Sequence, residues 1–163
     1  MPARAAQLQI RVTAAQKRRL RRLAAAAGQD MSSYVLGRVL PEQAVAFAAL
    51  IARLRDTDEP SYVFAALSDF LSTLAPIDFA AATESADVAR LSPFASNYLA
   101  AMVEHAARLR RLVPPSWTRD VPPLATPYFA TTLRSLRLHL LLAAPVAYKR
   151  RNLFVDSVVG DQV

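Results

Sequence analysis

Polar and apolar residues alternate from Gln7 to Val12, with Leu8, Ile10 and Val12 on one side and Gln7, Gln9 and Arg11 on the other. A period of two predicts a short strand with one apolar face. The period then lengthens. Leu20, Leu23, Ala24 and Ala27 recur at helical spacing, which predicts a helix carrying one apolar stripe. Thr13 suits its N-cap, and Gln16 three residues later completes a capping-box pattern. Gly28 is placed to end this helix in a left-handed conformation. Asp30 is the expected N-cap of a second helix, in which Met31, Val35 and Val39 repeat every four residues while Tyr34 and Leu40 widen the stripe. Pro41 either stops this helix or opens the next as a first-turn proline.

Beyond Pro41 the helical period dominates. Residues 42–55 read as a strongly apolar helix, 56–60 as a polar linker and 61–74 as another helix, while 76–84 give no clear pattern. Ser92 followed by Pro93 is a good helix start, and the stripe runs through Phe94, Tyr98, Ala101, Met102, His105 and Leu109 to about Leu112. Five prolines (114, 115, 122, 123, 127) and the only tryptophan predict an extended connector over 113–127. A last long helix is expected over 131–144, then a basic and finally apolar tail, with no internal repeat. The expected fold is mainly α. Residues 1–41 form one module of a short strand and two helices, and residues 42–163 form an all-helical region.

Composition agrees. The 163 residues are 53% hydrophobic with only three glycines, which favours a packed helical core over disorder. Cysteine is absent, so a disulfide framework and a thiolate metal site are excluded and a reducing cytoplasm fits. Arg4, Arg11 and Lys17 to Arg19 interrupt any signal-peptide core, and the apolar runs 44–52 and 140–148 fall short of the ~20 residues a bilayer needs. No membrane association is expected.

Charge changes the picture. Residues 1–40 hold eight cations against one anion, Asp30, whereas residues 41–163 hold twelve of each. The whole net charge of +7 therefore sits in the first quarter of the chain. A basic end on a neutral body has the form of an electrostatic footprint for a polyanion.

The predicted strand cannot stand alone, because its backbone edges are unpaired and only one face is apolar. Antiparallel pairing with the same strand of a second chain buries Leu8, Ile10 and Val12 on the helices and presents Gln7, Gln9 and Arg11 of both chains outward. A two-stranded ribbon fits the DNA major groove, where glutamine pairs with adenine and arginine with guanine. Arg4, Lys17 and Arg18 are then placed for phosphate contacts, which would make affinity salt-sensitive. Each set also has a plainer reading, as a solvated strand face and a solvated helix face.

The stretch from Ala6 to Leu40 resembles the ribbon-helix-helix (Arc/MetJ-like) family of bacterial repressors. The likeness is carried by the strand 7–12, by Thr13-Ala14-Ala15-Gln16-Lys17 and by Gly28-Gln29-Asp30-Met31-Ser32-Ser33-Tyr34-Val35. It implies an intertwined homodimer on a palindromic or repeated operator in double-stranded DNA, with Gln7, Gln9 and Arg11 as base readers. It further implies a phosphate clamp at Met31 and Ser32 through helix N-terminal amides.

For residues 42–163 no catalytic pattern is found. There are two histidines, His105 and His139, and no paired carboxylates, nucleophile elbow, glycine-rich loop or metal-ligand cluster, so neither an enzyme, a cofactor nor a metal is expected. Trp117, with the prolines around it, is either an exposed anchor for a partner or a pin holding the connector on its own core. Lys149, Arg150 and Arg151 read either as a second basic patch for DNA or an acidic partner face or as a solvated run, and Tyr148 and Phe154 flanking them suit an interface. The segments Ser92-Pro93-Phe94, Asn97 to Ala101, Pro115-Ser116-Trp117 and Lys149 to Phe154 resemble antitoxin partners of nucleotidyltransferase-like toxins. That resemblance implies a repressor that neutralises a toxin through its carboxy-terminal part. The alternative is a stand-alone regulator whose second domain oligomerises or senses a ligand.

Overall fold

Helix formation in the computed structural model, which describes residues 10–39 and 42–156, begins at a completed capping box. Thr13 Oγ1 accepts the Gln16 N–H at 3.3 Å, and Gln16 Oε1 accepts the Thr13 N–H at 2.8 Å. These two bonds satisfy donors that a helix start leaves orphaned. Helix α1 follows over Ala14–Ala26. It closes in a double turn: Gly28 donates to the Ala25 carbonyl at 3.1 Å and Gln29 to that of Ala24 at 3.0 Å. That closure puts Gly28 at φ +65°, a conformation that strains any residue with a Cβ even though the space around it is open. Asp30 then starts α2, Met31–Val39. Residues 10–12 belong to no strand, and Leu8, Gln7 and Gln9, the rest of the expected strand, lie outside the described residues.

The chain divides into two units, Met1–Pro41 and Glu42–Val163. In the second unit α3 spans Glu42–Asp56, α4 Pro60–Thr73, α5 Pro76–Thr83 and α6 Pro93–Leu109. Short α7 (Trp117–Asp120), α8 (Arg134–Ala143) and α9 (Val146–Lys149) complete the helices, and the described residues are mainly helical. Prolines open α4, α5 and α6, where their missing N–H costs nothing. That explains α5, which falls where the period gave no clear pattern: Pro76 starts it, and only Phe79, Ala82 and Thr83 are buried.

Helix α6 is the centre of this unit and is buried on nearly every side. Ser92 caps it through the Ala95 N–H at 3.1 Å. Ala100, Ala101, Ala106 and Ala107 are completely covered, and these small side chains let α4, α7 and α9 approach closely. On the far side of α4 and against α5, α3 contributes Phe47 and Ile51, packed with Leu67, Leu71 and Phe79. The helix stops at Leu109, short of the expected Leu112, because Arg111 turns left-handed (φ +57°) and Leu112 donates back to Ala107 at 2.8 Å. Arg110 then reaches across to the end of α4, donating to the carbonyls of Leu71 (2.6 Å) and Ser72 (3.1 Å).

The expectation of an all-helical second region is corrected at one place. Strands β1 (Tyr128–Phe129) and β2 (Leu153–Phe154) pair in parallel, Tyr128 opposite Leu153 and Phe129 opposite Phe154. The connector ends with extended backbone whose donors need acceptors. The tail supplies them: Tyr128 donates to Asn152 at 2.8 Å and Ala130 to Phe154 at 3.0 Å. No helix among the described residues is long and apolar enough to cross a membrane.

Candidate nucleic-acid interface and partner face

Lys17, Arg18, Arg19, Arg21 and Arg22 all stand exposed on α1, and among the described residues none of them is in an ion pair. The helix has no acidic residue in its first turn. Arg11 is exposed just ahead of it, while Arg4, Gln7 and Gln9 lie outside the described residues. The apolar side chains of Ile10, Val12 and Leu23 are 58%, 43% and 42% exposed. Ala24 is the one buried hydrophobic of this unit among its described residues. Among the described residues a single chain thus leaves uncovered the cations and Ile10, Val12 and Leu23, while Leu20 is half-buried.

The start of α2 carries a carboxylate. Asp30 Oδ1 accepts the N–H groups of Ser32 (2.8 Å) and Ser33 (3.0 Å), and its second oxygen accepts the Ser33 hydroxyl. These bonds, the Ser33 hydroxyl foremost, hold the Asp30 carboxyl below its ordinary range. The phosphate clamp expected at Met31 and Ser32 therefore meets a competitor: the Ser32 amide is already spent on the N-cap. A phosphate at this end would have to displace or sit beside a negative charge.

In the second unit the expected partner residues fall mostly inside the fold. Trp117 is half-buried, and its Nε1 donates to the Thr83 carbonyl at 2.9 Å, so it pins the connector to α5. Tyr148 is buried beneath Tyr98, with rings 5.5 Å apart. Arg151 is the largest correction. Only 5% exposed, its guanidinium donates to Glu104 Oε1 (2.6 Å), to the carbonyls of Thr118 (2.5 Å) and Val121 (3.3 Å), and to Asn97 Oδ1 (3.4 Å). The cation from the tail thereby locks the connector onto α6. Asn97 assists by donating to the carbonyls of Pro93 and Pro122, both at 2.9 Å. Lys149 is half-buried and donates to the Leu142 carbonyl at 2.8 Å, and Phe154 stacks on Phe129 at 4.8 Å. Of the six, Arg150 alone is exposed.

The open apolar surface lies instead on α8. Leu136, Leu138, Leu141 and Leu142 are all at least 40% exposed, with Leu133 and Val146 beside its two ends, and only Leu140 is buried. Arg134, Arg137 and His139 share this helix, and no acidic residue occurs from Val121 to Val155. A helix apolar around most of its circumference ordinarily sits in a core.

A second feature was absent from the sequence-based expectations. A cavity of about 350 Å³ opens between α4, α6, β1 and α9. Phe64, Phe94, Tyr98, Tyr128, Tyr148 and Met102 wall it, and Ser61 and Ser68 stand at its α4 side. Burial raises the Tyr148 phenol well above the ordinary range, with Tyr98 adding to the effect; burial also raises Tyr98, with a smaller push from Tyr128. The Phe94 and Tyr98 spacing of four was visible as a helix face, but nothing in the sequence links it to Phe64, Tyr128 or Tyr148. Only the β1–β2 pairing and the turn after α8 bring these rings together.

Comparison with protein-family models, with curated proteins and with solved structures finds no match for this chain.

Proposed function

We propose that this protein is a DNA-binding transcriptional repressor of the ribbon-helix-helix type, acting as a homodimer. The observation that carries this reading is the double exposure in the first unit. The unpaired cations of α1 and the uncovered Ile10, Val12 and Leu23 stand on a short capped helix pair in which, among the described residues, Ala24 is the one buried hydrophobic. A second copy covers the apolar side chains, and DNA phosphates neutralise the cations. The capping box, the Gly28 turn and the Asp30 cap support the helix pair such a dimer requires.

The second unit is the partner-binding part in this reading, consistent with an antitoxin that represses its operon and holds a toxin. The leucine-rich, cationic face of α8 suits a protein partner with an apolar groove rimmed by carboxylates. The alternative of a ligand-sensing regulator is favoured by a different observation, the aromatic cavity beside α6.

Selection of bound sequences from a randomised duplex pool, followed by salt titration, tests the DNA reading. Arg11→Ala should relax the preference at one base pair per half-site, since a good paired contact discriminates by about 1–3 kcal/mol. Lys17→Ala should weaken every sequence alike and lower the salt slope by about 0.9 if it neutralises one phosphate. Failure to enrich any sequence, with a salt slope near zero, would sink it.

A further inference from the structure

The aromatic cavity in the second unit has the build of a ligand site. Its volume falls at the lower end of the range for small-molecule pockets, roughly 300–1,000 Å³. Such pockets combine apolar walls with a few convergent polar groups. Here the walls are the rings of Phe64 and Phe94 with Met102, and the polar groups are the phenols of Tyr98, Tyr128 and Tyr148, with Ser61 and Ser68 at the α4 side. The tyrosine rings form a chain with the phenylalanines, Tyr98 lying 5.5 Å from Tyr148 and Phe94 lying 4.7 Å from Tyr128.

Two details point to an occupant. Tyr148 is 1% exposed and lines the cavity, yet among the described residues its hydroxyl has no hydrogen-bond partner, and neither do those of Tyr98 and Tyr128. None of the three hydroxyls is sealed inside the protein, and Tyr128 is 41% exposed, so each phenol opens on the cavity and can bond what enters it. Moreover, no charged side chain lines the cavity. A carboxylate or a phosphate placed there would shed its hydration with no counter-charge in return, and an ammonium would meet the ring faces but leave the phenols unused. A flat uncharged molecule keeps its faces on the rings and its polar edge on the phenols.

We propose that this cavity binds a small, neutral, planar aromatic or heteroaromatic molecule, hydrogen-bonded at its edge by Tyr98, Tyr128 and Tyr148. The site is confined to the second unit and stands whether or not the first unit binds DNA.

Saturation-transfer NMR and calorimetry on the full chain test this with phenol, indole and adenine as neutral probes and with benzoate and benzyltrimethylammonium as charged ones. At least one neutral probe should bind, benzoate should not, and benzyltrimethylammonium, which offers the phenols no hydrogen-bonding edge, should bind more weakly than the best neutral probe. Tyr148→Phe should weaken that probe about fivefold, the worth of one net hydrogen bond, while leaving thermal stability equal or higher because no protein partner is lost. Ala65→Phe, at an exposed position on the cavity wall, should abolish binding without unfolding the chain. The proposal is overturned if no neutral probe binds at millimolar concentration, if a charged probe binds as tightly, or if both variants bind like the parent. A marked loss of stability in Tyr148→Phe also overturns it, since the hydroxyl would then serve the fold.

Discussion

The two units of this chain solve the problem of burial in opposite ways. Residues 42–156 pack α4, α7 and α9 against α6, with α3 on α4 and α5, and cover more than twenty hydrophobic residues within one chain. Residues 10–39 cover Ala24 and leave Ile10, Val12 and Leu23 in solvent beside five bare cations. Hydrophobic burial is the main favourable term in folding, and the described residues of this unit have little of it within one chain. The second unit even has enough core to hold an ion pair, Arg151 with Glu104, away from water. In the proposed dimer, association would complete the core of the first unit, whereas for the second unit a partner would be an addition at α8.

The largest effect should come from attacking the uncovered stripe. Val12→Asp places a carboxylate where a second chain would bury it, at a cost of about 3 kcal/mol or more. Sedimentation equilibrium should then give a dimer dissociation constant raised at least about a hundredfold. Denaturation of the second unit should be unchanged. A variant that stays as dimeric as the parent would show that residues 10–12 are no interface, and the comparison would break at its root.

The converse substitution lies in the second unit. Arg151→Ala leaves the largely buried Glu104 carboxylate without its cation and strips donors from the Thr118 and Val121 carbonyls. Breaking a buried pair from one side typically costs about 3–5 kcal/mol. Chemical denaturation should register that loss, while the dissociation constant of the proposed dimer stays the same. Replacing both Arg151 and Glu104 with leucine should be milder, because no orphaned charge remains. A single-variant loss below about 1 kcal/mol would mean that the guanidinium is effectively solvated.

Local signals were legible in the sequence, and long-range ones were not. Thr13 with Gln16, Gly28, Asp30 and Ser92 each act on neighbours within four residues, so spacing alone places their helix boundaries. Leu109 ended α6 early because an arginine took the left-handed position that glycine usually marks. The basic run 149–151 looked like a surface because its charges are adjacent, yet successive residues point in different directions. Arg150 reaches solvent, Lys149 folds onto Leu142, and Arg151 enters a slot made by residues 30 to 54 positions away. Nothing short of the fold reveals that slot. The same holds for the aromatic cavity, whose five rings come from four separate elements.

The smallest effect sharpens the comparison at the start of α2. Ser33, through its hydroxyl and then its amide, and more weakly the Ser32 amide, hold the fully exposed Asp30 carboxyl below its ordinary value of 3.8. A carboxylate whose folded pKa is depressed stabilises the fold above its unfolded value, and that stabilisation disappears as pH falls through the folded value. The Ser33 amide should therefore lose exchange protection below pH 3.8, with the second unit unaffected over the same step. Asp30→Asn should remove this pH dependence and keep the cap, because asparagine is an equally good N-cap. The same variant clears a negative charge from the position where a DNA phosphate is expected. If the α2 amides take part in phosphate binding, Asp30→Asn should tighten DNA binding about two- to fivefold, the scale of one charge at a helix N-terminus. Unchanged affinity would leave the carboxylate as a cap alone and move the phosphate contacts to the cations of α1.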